Sequence, residues 1–240
     1  METAQQRFTA EDRRQQIVDV ATELFAAQGY EGTTTREIAH RASVNEAIIF
    51  RHFPSKEDLY WEIIEQKIRN GGGKVKLQEI LAAGDDPRTT FVNIAERILR
   101  RRSEDQSLSR LLLFSALENH RLSARFFKVY VAEYYEAISE YIRGKIVEGS
   151  FRDVDPVLAS RGFLGMVIYH SMIQDLFGGS KCQEYDPKQV SEIIVSIWLD
   201  GMAAGKATSS PTRVNRLQGN SESVGARPES LKRNLRKTER

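Results

Sequence analysis

The stretch of sequence that decides the fold is residues 33–59, which read TTTREIAHRASVNEAIIFRHFPSKEDL. Thr34 stands three residues before Glu37 and predicts the start of one short helix, while Asn45 can cap a second helix. Small and apolar residues between these points favour a close crossing of the two helices over a tight turn. This is the pattern of a helix-turn-helix, whose second helix is free to enter the major groove of DNA.

The flanking sequence extends this motif into a compact N-terminal unit. Upstream, apolar residues recur every three or four positions from Ile17 to Phe25, and Gly29 provides a natural helix end. Downstream, Pro54 stops one helix, Ser55 opens the next, and a glycine run at 71–73 releases the chain. We predict a three-helix helix-turn-helix domain with a fourth helix, the four helices spanning residues 10–28, 35–42, 45–52 and 55–70.

The rest of the chain predicts an all-α protein, since helical periodicity dominates and no alternating strand pattern is bounded by turn signals. The longer amphipathic stretches are residues 75–83, 87–102, 105–119, 122–148, 155–177 and 187–205. Beyond Ala207 the apolar residues become isolated among polar and basic ones. We therefore predict a DNA-binding domain over residues 1–70, a larger helical domain over 71–206, and a basic disordered tail over 207–240.

Composition narrows the class of protein. The chain has 240 residues, 40% of them hydrophobic and 28% charged, which is ordinary globular usage. The single cysteine, Cys182, excludes an intramolecular disulfide, and no apolar run is long enough to span a membrane, so a cytoplasmic protein is expected. Net charge is −3 over residues 1–70, −1 over 71–205 and +6 over 206–240. A DNA-binding unit with negative net charge must cluster its cations on one face.

The decisive stretch resembles the tetracycline-repressor (TetR) family, whose signature runs T-x-x-x-I-A-x-x-A-G-V-S and later Y-x-H-F-x-S-K-E-x-L. The resemblance covers roughly residues 10–65. It departs at Ser43, where the family usually has glycine in a left-handed turn, at Asn45 for serine, and at Phe50 for tyrosine. The matching residues are Ile17, Ala21, Leu24, Phe25, Gly29, Tyr30, Thr34, Ile38, Ala39, Ala42, Val44, His52, Phe53, Ser55, Lys56, Glu57 and Leu59.

The resemblance implies roles for individual residues. Expected phosphate contacts are Thr34, Thr35, His52 and Lys56. Side chains expected to reach base edges or neighbouring phosphates are Arg36, Asn45, Glu46, Ala47 and Arg51. The ring of Phe50 is expected against sugar or a thymine methyl group. Two alternatives stay open, because Glu46 can instead cap its own helix through Ser43, and His52 can be a partly buried structural histidine.

For the larger domain, the resemblance implies a ligand pocket and a dimer interface near its end. Aromatic and apolar residues suited to a mostly apolar ligand are Phe91, Phe114, Leu117, Phe126, Phe127, Tyr130, Tyr134, Phe163, Met166 and Tyr169. Glu118, His120 and His170 could orient such a ligand. The interface candidates on two late helices are Leu158, Gly162, Gly165, Ile168, Ile194, Ile197, Trp198 and Met202. For both sets the alternative is ordinary intrachain core.

Together these patterns predict a ligand-responsive transcriptional repressor that binds a palindromic operator as a homodimer and is released by a small-molecule effector. The proposed route is a shift of the helix around residues 55–68. One alternative is an interaction protein that uses its basic tail for nucleic acid or an anionic membrane. An all-helical enzyme is the other; the histidines and Cys182 show no metal or nucleophile spacing, and no cofactor is predicted.

Overall fold

The computed structural model describes residues 9–118 and 121–203, all of which belong to one compact unit. Within these ranges the regular structure is helical and no β-strand is formed, which confirms the all-α prediction. The predicted tail at 207–240 and His120 lie outside the described residues. The helices are α1 Ala10–Gln28, α2 Thr35–Arg41, α3 Glu46–His52, α4 Lys56–Asn70, α5 Gly73–Ala82, α6 Pro87–Glu104, α7 Ser107–Leu117, α8 Arg121–Phe126, α9 Ala132–Val147, α10 Pro156–Ser171 and α11 Pro187–Met202.

Two of the long predicted stretches are not continuous α-helix. A π-helical turn at Phe127–Val131 joins α8 to α9, and another at Met172–Leu176 extends α10. Such turns bulge a helix by one residue and are frequent at functional sites. No helix among the described residues has the length and apolarity to cross a membrane.

The helices begin where side chains can satisfy their free N–H groups. Thr9 and Asp12 form a reciprocal capping box at α1, with the Asp12 backbone N–H 3.1 Å from the Thr9 hydroxyl oxygen. Thr34, Asn45 and Ser55 cap the next three helices, and each side chain accepts from the backbone N–H three residues further on. In α6, α10 and α11 an aspartate N-cap precedes a proline, whose missing N–H costs nothing at a first helical position.

The first buried core joins α1 to α4 and also recruits α7 and α8 through Leu111 and Leu122. The Tyr60 hydroxyl group donates to the Leu111 carbonyl oxygen over 2.7 Å, and the Arg110 guanidinium donates to the Ala26 carbonyl oxygen over 2.5 Å. Helices from beyond residue 70 therefore complete the core of the N-terminal unit. The predicted domain boundary at residue 70 stays a prediction.

The second core lies among α5, α6, α9, α10 and α11, and Trp198 is at its centre. The Trp198 ring lies 4.4 Å from Phe91, 5.5 Å from Phe163 and 5.9 Å from Phe151, measured between ring centroids. Its indole N–H donates to the Ala159 carbonyl oxygen over 3.2 Å. These contacts fix the packing of α11 against α6 and α10.

Candidate nucleic-acid interface and effector cavity

The turn between α2 and α3 holds the helix-turn-helix together. Ser43 has φ 52°, so the non-glycine residue does adopt the left-handed conformation expected at this position, at a cost of about 1 kcal/mol. The Val44 backbone N–H bonds the Ala39 carbonyl oxygen over 3.0 Å and closes the turn. Buried Ala39 and Ala42 leave room for the close helix crossing that their size predicts.

Helix α3 buries one side and presents the other. Ile49 is fully buried against the first core, whereas Ala47, Phe50 and Arg51 are exposed. These three positions are i, i+3 and i+4, so they form one strip along the helix. Phe50 leaves 46% of its surface exposed, so its ring is accessible from outside the chain. The exposed strip carries Ala47, Phe50 and Arg51 of the contacts predicted for this helix, whereas Glu46 is half-buried.

Glu46 is held at the start of α3 by α2. Its carboxylate accepts a hydrogen bond from the Thr35 hydroxyl group, and both residues are half-buried. The proposed cap through Ser43 is not among the contacts of the described residues; the helix is capped by Asn45, whose side chain accepts from the Ile48 backbone N–H over 2.9 Å. The Thr35–Glu46 bond fixes the angle between the two helices, and the DNA roles of this pair stay predictions.

The remaining predicted contacts surround α3. Thr34 and Arg36 are exposed at the start of α2, and His52 is half-buried at the end of α3. Neither Arg36 nor Arg51 has an ion pair with any described residue, whereas acidic side chains of this unit have partners within the chain. Glu57 pairs with Arg121, and Glu62 pairs with Arg14 over 2.9 Å. Arg51, on the exposed strip, and Arg36, at the start of α2, are therefore cations without a carboxylate partner among the described residues.

Lys56 has a structural task that the sequence does not reveal. Its ammonium group donates to the Tyr30 carbonyl oxygen over 2.9 Å and to the Thr33 carbonyl oxygen over 3.1 Å. The same nitrogen lies 4.0 Å from the centroid of the Tyr30 ring. Lys56 thus ties the start of α4 to the loop between α1 and α2, and one ammonium hydrogen is left for the predicted phosphate contact.

A Lys56→Met chain is expected to lose about 2–3 kcal/mol of unfolding free energy, because two charge-assisted hydrogen bonds and a cation–π contact disappear. Thermal and urea unfolding measure this loss. Lys128→Met, at an exposed lysine of the π-helical turn, is the matched control and should leave stability unchanged. Full stability of the Lys56→Met chain combined with weaker binding to every duplex would instead assign Lys56 to phosphate alone.

A cavity of about 270 Å³, partly open to solvent, lies beside the end of α4 and is lined by residues from α4 to α10. Three of the predicted pocket residues, Phe126, Tyr130 and Tyr134, line it. Sequence reasoning missed its basic residues, which come from α4, α5 and α6: Lys67, Lys74, Arg101 and Arg102. The available signal was the arginine run at 100–102 within an otherwise amphipathic helix.

The other predicted pocket residues lie elsewhere. Phe91 and Phe163 are fully buried in the second core, because they pack around Trp198. Leu117 is 75% exposed, and Phe127 also faces outward. Phe114 is half-buried beside Gly29, and Glu118 lies there too, with its carboxylate 3.3 Å from the Glu31 backbone nitrogen. Met166, Tyr169 and His170 line a separate, open hollow between α10 and α11.

The junction of α4 and α5 forms part of the cavity wall. The Arg97 and Arg101 guanidinium groups donate to the Gly71 and Lys67 carbonyl oxygens, so α6 holds the last turn of α4. A side chain at Gly71 would collide with the Arg101 guanidinium, and one at Gly73 would collide with the Tyr134 hydroxyl group. The glycine run therefore permits close packing of the helix end against two cavity residues.

An apolar face remains uncovered on the outer side of α10 and α11. Leu158, Ile193 and Ile197 are exposed, and Gly162 and Gly165 lie open on the same side, with no other atom near the position of a Cβ. The remaining predicted interface residues are not on this face. Ile168 lines the cavity, and three residues are buried within the chain itself: Ile194, Trp198 and Met202. Ile194, Trp198 and Met202 are thus packed within the chain rather than on the uncovered face, and the dimer interface itself stays a prediction.

Two models of known protein families match separate parts of the chain. Residues 17–63 match the model of bacterial regulatory proteins of the tetR family, and residues 91–201 match the C-terminal domain of AefR-like transcriptional repressors. The HTH-type transcriptional repressor KstR2 of Rhodococcus jostii is 32% identical over 197 residues, covering 80% of this chain and 92% of the relative.

Two solved structures share the fold. The transcriptional regulator FadR of Bacillus subtilis, in complex with stearoyl-CoA, superposes with a TM-score of 0.64 at 20% identity, covering 78% of this chain and 98% of FadR. AibR, in complex with isovaleryl coenzyme A and operator DNA, superposes with a TM-score of 0.61 at 21% identity, covering 77% and 97%. At this identity the likeness establishes the fold alone.

Proposed function

Because the chain belongs to the TetR family of bacterial transcriptional regulators, we propose that it is a repressor that binds a palindromic operator as a homodimer in the cytoplasm and is released by a small-molecule effector. The observation that carries this proposal is the exposed strip of α3. Neither an enzyme nor a tail-dependent interaction protein is favoured, since the relatives named above are transcriptional regulators.

The exposed strip suits a DNA groove. A seven-residue helix, Glu46–His52, is short enough to lie within the major groove and rests on a rigid turn. Arg51 can reach guanine, Asn45 can reach adenine, and the Phe50 ring can pack on a thymine methyl group. Thr34, at the first turn of α2, is placed to contact phosphate together with free backbone N–H groups of that helix end. The phosphate contacts position the protein along the DNA, and the side chains of the exposed strip contact the bases.

Selection of bound fragments from a random duplex library tests the proposal. We expect the full chain to enrich one palindromic sequence with half-sites separated by about one helical turn or a multiple of it, roughly 34–36 Å per turn. The enriched duplex should bind about 1,000-fold or more tightly than random duplex at the same salt concentration. Enrichment of no sequence, or of single-stranded fragments only, would reject a sequence-specific repressor.

The homodimer is proposed to form through the uncovered face of α10 and α11. Exposed leucine and isoleucine beside open glycines allow two helices of each subunit to approach closely, as stable dimer interfaces require. Two copies of one face related by a twofold axis also match the symmetry of a palindrome. Both recognition helices would then contact one operator together.

Ile197→Asp is expected to convert the dimer to a monomer, because Ile197 is 60% exposed in the single chain and two copies of the carboxylate would be buried facing one another. Sedimentation velocity measures the mass, and operator affinity should fall at least about 100-fold with it. Val147→Asp on α9, where the side chain is 84% exposed, is the matched control. A dimer that survives Ile197→Asp would place the interface elsewhere.

The release mechanism rests on the position of the cavity. Lys67 and Ile68 of α4 line it, so an effector inside it touches the same helix that begins at Lys56 next to the DNA-binding turn. Leu108 and Ser109 of α7 line it as well, and α7 is bonded to the N-terminal unit through Arg110. An effector that favours a different position of these helices changes the spacing of the two recognition helices and lowers operator affinity.

A further inference from the structure

The charges that line the cavity do not cancel. Lys67 lies 2.6 Å from the Asp105 carboxylate, and Lys74 lies 3.1 Å from the Glu133 carboxylate, measured from nitrogen to oxygen. These two pairs are neutral. The other two charged side chains of the lining, Arg101 and Arg102, are both cations.

Neither arginine has a direct carboxylate partner among the described residues. Arg101 donates to a backbone carbonyl oxygen, that of Lys67. The Arg102 Nε donates to the Ser171 hydroxyl oxygen over 2.9 Å, and that hydroxyl donates onward to Asp175 over 2.6 Å. A guanidinium has five N–H donors in a planar fork, so each arginine keeps donors that no contact described above uses. Both cations belong to the lining of the same cavity.

Burial makes this arrangement costly without an anion. Burial lowers the pKa of the Arg102 guanidinium, an effect that the nearby Asp175 carboxylate partly offsets. A cation removed from water regains its lost solvation best from a carboxylate or a phosphate in a bidentate geometry. The cavity thus offers a strong binding position for a negatively charged group beside the end of α6.

The remainder of the lining is apolar. Ile98, Leu108, Leu164 and Phe126 contribute its walls. The volume of about 270 Å³ is close to the lower end of small-molecule sites, about 300 Å³, and suits a short apolar chain with one small head group. An apolar space of this size next to two cations favours a molecule that has an apolar body and a negative charge.

We propose that the cavity binds an amphipathic anion, an apolar body that carries a carboxylate or phosphate held by Arg101 and Arg102. The apolar effector expected from sequence thus gains a charged group. This inference rests on the proposed function, because it concerns the cavity through which the effector acts. The anion can be the carboxylate of a fatty acid or a phosphate attached directly to an apolar chain.

Isothermal titration of the full chain without DNA tests the charge preference. The probes are octanoate, octyl phosphate and 1-octanol, which share one apolar chain and differ in the head group. We expect at least one anionic probe to bind about 10- to 100-fold more tightly than 1-octanol, the effect of a charge-assisted hydrogen bond. Preference for octanoate identifies a carboxylate as the bound group, and preference for octyl phosphate identifies a phosphate. Equal or tighter binding of 1-octanol, or no binding of any probe, overturns the proposal.

A matched pair of variants assigns the preference to Arg102. Arg102→Met should reduce affinity for the preferred anion about 10-fold and leave affinity for 1-octanol unchanged. Arg102→Lys should keep part of the preference. Arg100→Met is the control, because Arg100 is exposed and pairs with Glu96 over 2.7 Å outside the cavity. Anion affinity that is unchanged in Arg102→Met overturns the assignment; if that chain unfolds, Arg101→Met supplies the same comparison.

The outcome is separable from that of the proposed function. Probe binding is measured on the free chain, whereas repression requires preference among duplexes. A chain that binds octanoate but enriches no duplex rejects the repressor and keeps the anion site. A chain that enriches a palindrome but binds 1-octanol as tightly as both anionic probes keeps the repressor and rejects the anion site.

Discussion

An Arg51→Ala chain is expected to lose operator affinity by about 2–6 kcal/mol, which is about 30-fold or more. Arg51 is exposed on the strip of α3 and free of ion pairs with described residues, so its guanidinium is available for the bidentate contact with guanine that arginine makes most often. Each half-site contact is worth about 1–3 kcal/mol, and a dimer loses two. Fluorescence anisotropy at fixed salt concentration, with the enriched duplex and with random duplex, measures both affinities.

The two duplexes separate base reading from phosphate binding. Loss of affinity for the enriched duplex with little change for random duplex is the expected result. Arg143→Ala provides a control with the same change in charge at an exposed position of α9, where Arg143 pairs with Glu140. Equal losses on both duplexes would contradict a base contact and leave Arg51 as a phosphate anchor.

A Trp198→Ala chain is expected to lose about 3–5 kcal/mol of unfolding free energy, the usual cost of deleting a buried tryptophan. Trp198 is only 8% exposed, and its ring touches three phenylalanine rings, from α6, from α10 and from the segment before α10. Its removal leaves a cavity in the second core and takes away the hydrogen bond that the indole N–H donates to the Ala159 carbonyl oxygen. Urea unfolding at one fixed protein concentration measures the loss, because dimerisation makes stability depend on concentration.

Val147→Ala at the exposed end of α9 is the control and should change stability by less than about 0.5 kcal/mol. The contrast with Ile197→Asp is informative, since the two neighbouring residues of α11 should affect different properties. Trp198 should determine the stability of each subunit, and Ile197 the association of subunits. Unchanged subunit stability of Trp198→Ala, with dissociation of the dimer, would return Trp198 to the interface predicted from sequence.

The parts of the fold that depend on near neighbours in sequence were predictable. Capping by Thr9, Thr34, Asn45 and Ser55 involves residues three positions apart, so the sequence alone places each helix start within one residue of its position in the structure. The left-handed conformation of Ser43 was expected from the resemblance, because the family usually has glycine at this position.

What covers the apolar face of a helix was not predictable from the sequence. A helical stripe such as that of α11 shows that one face is covered, but the same pattern serves contact with the chain itself or with a second copy. The structure separates these cases by placing Trp198 inside and Ile197 outside. The tasks of Lys56 and Arg102 were equally hidden, because their partners lie 23 to 69 residues away along the chain.

The coupling of the two cores was also beyond sequence reasoning. Helix α7 reaches the N-terminal unit through Tyr60 and Arg110, which bond residues 51 and 84 positions away. Nothing in the periodicity of α7 specifies that partner. The consequence is functional, since the same helix contributes Leu108 and Ser109 to the cavity.

Methylation interference on the enriched duplex tests most directly whether α3 reads the major groove. Dimethyl sulfate modifies guanine N7 in the major groove and adenine N3 in the minor groove, so one experiment compares both grooves. We expect N7 methylation within two half-sites to block binding, with Arg51→Ala insensitive at the guanine that Arg51 contacts. Interference only at adenine N3, or at no position in the half-sites, would contradict the account.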